Sequence, residues 1–316
     1  MHRRAFLAGA AAFVVAPSAF ARRLGGTPVA LVTADTEAHV AAVELATGRV
    51  VGRIPTLEGP RSIESVFGSR TVVAHTTEGA ITLLDGVDKR RVLRGFGEPR
   101  YTAMSTDGHF GYVTDSKLGE VAVVDLVTGR LVHRTEVGAH ARHVTSDPLG
   151  RRLWVALGFS APEIVLLDLA DPVRPRVTGR IHPPFLAHDV AFEPKGRQVW
   201  VSAGKEQRIA VFDPTGRVRR ILRADAAPQH FTFSAGRAFV AEGECGMVRV
   251  HALHDARLLR ELEVPVGSYN VQSGFGAVVT PSLDHETLVV LDRFGRKLRE
   301  VKVASSSHDA AIVTTA

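Results

Sequence analysis

The sequence contains a single cysteine, Cys245. One thiol excludes an intramolecular disulfide and any zinc site built from paired cysteines. After the first residues there is no apolar run long enough to span a bilayer. Net charge is scarce as well: 39 Lys and Arg against 33 acids give +6 over 316 residues, with no basic stripe. Nucleic-acid binding wants Lys and Arg clustered on one face, so DNA binding ranks last among the functions considered. Local catalytic signatures are also missing. No nucleophile elbow, phosphate loop, haem-attachment motif or His-x-x-x-His pair occurs. Those absences weigh against common hydrolase, nucleotide and haem chemistry, but not against a site assembled from separate segments.

What is present is a globular composition, 45% hydrophobic and 23% charged, with 29 Gly and 16 Pro scattered along the chain. Scattered Gly and Pro punctuate many short strands. The chain opens MHRRAFLAGAAAFVVAPSAFA. Basic Arg3 and Arg4 precede an apolar stretch, and Ala19-Phe20-Ala21 fits a small-x-small cleavage site. Residues 1–21 are therefore expected to be a removable leader, and the paired arginines with Phe6 and Leu7 resemble a twin-arginine export signal. Residues 22–28 would form a short N-terminal segment before a domain over 29–316. Loss of Arg3 and Arg4 leaves 37 basic residues against 33 acids, a mild +4. A periplasmic or secreted protein without a transmembrane segment is expected.

One unit recurs along the domain. Apolar strands ending in an acid appear as HVAAVELATG, AITLLDG, EVAVVDLVTG, EIVLLDLAD, RIAVFDPTG and TLVVLDRFG, with acids at Glu44, Asp85, Asp125, Asp168, Asp213 and Asp292. MVRVHALHD is a seventh copy with Ala252 in the acidic place. Successive separations of 41, 40, 43, 45, 39 and 40 residues match propeller blades. Each unit supplies four strands, the inner ones apolar on both faces and the outermost Arg-rich. The acids are expected to accept hydrogen bonds from backbone two residues on. Residues 29–54 lack an inner strand, while Ser307–Thr314 is an inner strand with no blade after it. Joining them predicts an all-β, seven-bladed propeller closed by the C-terminal strand on the N-terminal blade.

Residues 111–156 carry the most specific pattern. Tyr112-Val113-Thr114-Asp115, then Val124-Asp125 with Thr128-Gly129, then Ser146-Asp147-Pro148 with Gly150, resemble the YVTN-type propeller repeat. The other six units match more weakly. The resemblance implies seven blades and frequent export or surface location. It implies no single activity, since similar propellers include lactonases, quinoprotein subunits, metal proteins and binding scaffolds.

The loops leading into the inner strands should open on one face, around the axis. Two polar columns start those strands. The first is Arg61, Arg100, Arg142, His188, Gln229, Tyr269 and His308; the second is Ser62, Tyr101, His143, Asp189, His230, Asn270 and Asp309. Arg61, Arg100 and Arg142, with Tyr101 and Asn270, suit an anionic ligand, carboxylate or phosphate. His143, His188, His230 and His308, with Asp189 and Asp309, suit a divalent transition metal. The bland alternatives are arginines paired with Asp189 or Asp309, and histidines bonded to a neighbouring blade's backbone. His75, Asp115, Glu242, Glu244 and Cys245 lie on loops at the same face. Trp154, Trp200, Phe231 and Phe233 are expected in the core.

Two functional classes follow. One is an extracytoplasmic propeller binding a small anion, a metal ion or a partner protein at its mouth. The other is a metal-dependent enzyme, a lactonase-type hydrolase or redox protein, in which the histidines hold the metal and Arg100 or Arg142 orients substrate.

Overall fold

A computed structural model describes residues 26–65 and 69–315. The expected leader lies outside them. Seven four-stranded antiparallel sheets account for almost the whole described chain, with one short 3₁₀ turn at Gly243–Cys245. The expected propeller is the observed architecture. Blade 1 is the composite one: Ser307–Thr314 is its inner strand, followed outward by Pro28–Ala34, His39–Glu44 and Val50–Pro55. Blades 2 to 7 follow in chain order, with inner strands Pro60–Ser65, Pro99–Met104, Ala141–Ser146, Ala187–Phe192, Phe231–Ser234 and Gln272–Gly274. In blade 1, Pro28 pairs with Thr314 and Ala34 with Ser307.

The burial patterns give the reason for this arrangement. The second and third strands of each blade are buried nearly throughout, as PVALVTA, AITLLD and EVAVVD illustrate, because each sheet is covered by two neighbours. Outer strands such as Asp88–Arg94 and Val218–Arg223 are largely exposed and carry Arg and Lys, which blunts their open edges. Seven apolar clusters fill the layers between blades. Trp154 and Trp200 are fully buried there, edge-on to Phe192 and Phe212 and to Phe231 and Phe233 respectively. The turn acids behave as expected at three places. Oδ1 of Asp125 accepts from the amides of Val127 and Thr128, and Asp213 and Asp292 make the corresponding turns.

Register sets the face on which the inner strands begin. Pro60 lies opposite His75 and Pro99 opposite Asp115, so the hairpins between second and third strands share that face. Six of these hairpin turns have four residues. Blade 4 has six, Gly158–Glu163, and its Ala161 exchanges two backbone hydrogen bonds with Ala187, the residue before His188. No helix among the described residues is long and apolar enough to cross a membrane.

Candidate metal centre at the propeller mouth

The inner strands surround a central cavity of about 270 Å³. All seven residues of the second column, from Ser62 to Asp309, line it. The first column does not, because successive side chains on a strand point to opposite sides. His188 of the first column nonetheless lies beside second-column rings, those of His143 and His230.

His143, His188 and His230, from blades 4, 5 and 6, each bring one ring nitrogen within 4.8 Å of the others. Ring centroids are 4.4 Å apart for His143 and His188, 5.0 Å for His143 and His230, and 5.4 Å for His188 and His230. An ion bonded at about 2.1 Å to all three would draw the nitrogens to about 3.4 Å, a small side-chain adjustment. His143 and His188 are only 1% and 2% exposed. Burial holds the His143 ring well below the ordinary imidazole range, and the neighbouring His188, His230 and Arg142 add to the effect. Burial, then His230, pushes His188 down to about 3. Both are neutral at physiological pH, so their lone pairs are available to a metal.

The tautomers follow from the partners. Nδ1 of His188 donates to the carbonyl of Phe159 at 3.1 Å, which leaves Nε2 as its donor to a metal. Nδ1 of His230 lies 3.3 Å from Oδ2 of Asp189, a carboxylate behind an imidazole as in many metal sites. Neither nitrogen of His143 has a hydrogen-bond partner among the described residues, an uncommon state for a buried ring. Tyr101 packs on His143 at 4.2 Å and Phe159 stands edge-on to His188 at 4.5 Å, which fixes both rings.

The other proposed ligands are not part of this cluster. His308 donates from Nδ1 to the carbonyl of Arg61 at 2.8 Å, stitching blade 1 to blade 2, and Asn270 donates to the carbonyl of His308. Asp309 accepts from the amides of Ala310 and Ile63, and Asp189 from those of Val190 and Phe231. Both aspartates thus hold the next blade's inner strand, although Asp189 also supports His230. His308 and Asp309 make blade-to-blade bonds, and for His308 this is the backbone bonding weighed for the histidines, which His188 also makes through Phe159.

The cationic crescent also resolves into unlike members. Arg61 pairs with Asp35 at 2.9 Å, and Arg100 pairs with Glu98 at 3.0 Å and bonds Ser116. Their acids come from adjacent loops and not from Asp189 or Asp309. Arg142 forms no ion pair among the described residues. Its guanidinium lies 5.8 Å from the ring centre of Tyr101 and 5.5 Å from that of Phe159. Of the loop residues, His75 bonds Glu58 and Thr82, and Asp115 accepts from four backbone amides. Glu242 faces Arg249, and Cys245 is exposed beside Glu242.

Two residues of the site carried no sequence motif. Glu64 lines the cavity two positions beyond Ser62 on the same strand face. Burial, and then the charge of Asp309, pushes it up to about 8, while Gln272 donates to it at 3.1 Å. Burial also pushes Asp309 up to about 6. An acid in mid-strand, where other blades have Ala103 or Thr145, was the available signal for Glu64. The signal for Phe159 was the 43-residue spacing from Asp125 to Asp168, which contains the longer turn.

No family model matches the chain, and no curated protein does. Solved structures share its fold. A functionally unknown protein from Desulfotomaculum acetoxidans DSM 771 aligns with TM-score 0.78 at 10% identity, over 91% of this chain and 99% of that one. AztD from Citrobacter koseri, solved in its apo form, gives 0.69 at 12% identity, over 92% and 99%. The dihydro-heme d1 dehydrogenase NirN, solved in complex with DHE, gives 0.63 at 17% identity. That alignment covers 87% of this chain and only 63% of NirN. At such identities the likeness concerns the fold.

Proposed function

We propose that this propeller binds a divalent transition metal at its mouth through His143, His188 and His230. The reading rests on one observation: the buried His143 and His188 and the partly buried His230 converge from three blades, and neither nitrogen of His143 has a partner among the described residues. Neutral imidazoles suit zinc, copper, nickel or iron more than hard cations. Sequence features supporting a YVTN-type propeller and an exported chain are compatible with this role, and N-terminal sequencing of the protein recovered after export would test cleavage after Ala21.

Titration of the metal-free protein with Zn²⁺ or Co²⁺ against a chelating competitor is the direct test. One ion per chain is expected, with affinity lowered at least 100-fold by His143→Ala or His188→Ala. Affinity unchanged in both variants would refute the site. Three protein ligands leave a fourth coordination position open, and this favours a second reading as a metal-dependent hydrolase that activates bound water. Turnover of a lactone panel by the Zn²⁺-loaded protein, abolished in His188→Ala, would support it; no turnover would leave a binding protein.

A further inference from the structure

Arg61, Arg100 and Arg142 occupy one column, but among the described residues only Arg142 is without an acid. Its Nε is buried without a hydrogen-bond partner among them. Tyr101 and Phe159 flank its guanidinium, and these same rings touch His143 and His188. The cation is thereby held beside the three histidines. Nearby carboxylates are already committed: Asp189 and Asp309 each accept two backbone amides, and Glu64 is bonded by Gln272 and the amide of Ser65. A dication on three neutral imidazoles next to the guanidinium brings about three positive charges, more than the carboxylates of Asp189, behind His230, and Asp309 answer. Buried charge of one sign is costly unless paired. The missing anion has to come from solution.

We propose that the fourth coordination position is filled by the carboxylate of a small molecule, one oxygen on the metal and the group hydrogen-bonded by Arg142. Guanidinium recognises a planar carboxylate through parallel N–H donors, which a lysine ammonium does not reproduce. Arg61 and Arg100, neutralised by Asp35 and Glu98, take no part. The inference rests on the metal reading above.

The test uses Co²⁺-loaded full-length protein titrated with sodium acetate, reading the visible Co²⁺ absorption and, separately, the Co²⁺ content. The wild type is expected to show a saturable spectral change. Arg142→Gln should raise the acetate dissociation constant at least tenfold at unchanged Co²⁺ content, Arg142→Lys should fall between, and Arg61→Gln should match the wild type. Equal acetate affinity in wild type and Arg142→Gln, at full Co²⁺ content, would overturn this inference alone. Absence of Co²⁺ uptake by the wild type would overturn the metal reading and the inference together.

Discussion

Arg61 and Arg100 on one side of the mouth, and His143, His188 and His230 on the other, come from two adjacent columns of a repeated blade, yet they end in opposite conditions. On the arginine side each charge is answered by a carboxylate from an adjacent loop, Asp35 or Glu98. On the histidine side burial strips His143 and His188 of charge, and the His143 ring is left without hydrogen-bond partners among the described residues. A repeat guarantees position but not partnership. The partners lie outside the repeated column, and they decide which arc is finished scaffold and which is open to a ligand.

The severest way to break this contrast is to remove the ring that carries both arcs. Deleting residues 307–316 takes away the inner strand of blade 1 together with His308 and Asp309. Loss of the cooperative thermal transition, followed by circular dichroism, is the expected result, and an unaltered melt would contradict the closure. A sharper cut compares the two aspartates. Asp189 and Asp309 do the same backbone work, but only Asp189 stands behind a cluster histidine. Asp189→Asn should lower Zn²⁺ affinity by about 10–100-fold, the usual effect of losing such a support, with Asp309→Asn close to wild type. Equal effects would erase the distinction.

Glu64 tests the electrostatics beneath both arcs. Its carboxyl sits at about 8 in the folded protein against an ordinary 4.5, so the folded state keeps a proton that the unfolded chain releases. Stability should decline as pH rises from 4.5 to 8, and the deficit is complete above that. Glu64→Gln, close in shape to the protonated acid, should therefore stabilise the protein by roughly 1–3 kcal/mol at pH 8 and by little at pH 4.5. Denaturant melts at the two pH values measure this, and a gain of equal size at both would exclude the mechanism. The smallest effect belongs to the finished arc. Arg61 and Asp35 are partly exposed, and Asp35→Asn should cost less than about 1 kcal/mol while leaving Zn²⁺ affinity unchanged.

The ring itself was legible because its period is carried by many residues at once. Turn acids, apolar strands and Arg-rich edges all repeat near 40 residues, and the out-of-phase ends pointed to the closure that Pro28 and Thr314 make. The second column was legible for the same reason and lines the cavity throughout. The chemistry within the columns was only half legible. Spacing places His308 and His188 in the same repeat position. Both rings bond a carbonyl of a neighbouring blade, and only tertiary structure shows that His188, next to an elongated turn, also meets His143 and His230. Glu64 escaped notice because one acid in an apolar strand looks like an irregularity until the strand's inward face is known.

The seam of blade 1 has a mechanical consequence. Its two strands run antiparallel with Pro28 beside Thr314, so both ends of the described ring leave from the same end of the seam. Pulling those ends apart loads the hydrogen bonds between the strands one after another, as a zip is opened, and not all together as in shear. Ring closure that makes the fold one thermodynamic unit therefore also sets its weakest direction. Under tension between the termini the propeller should open first at blade 1, at low force, and the remaining six blades should peel away from that breach.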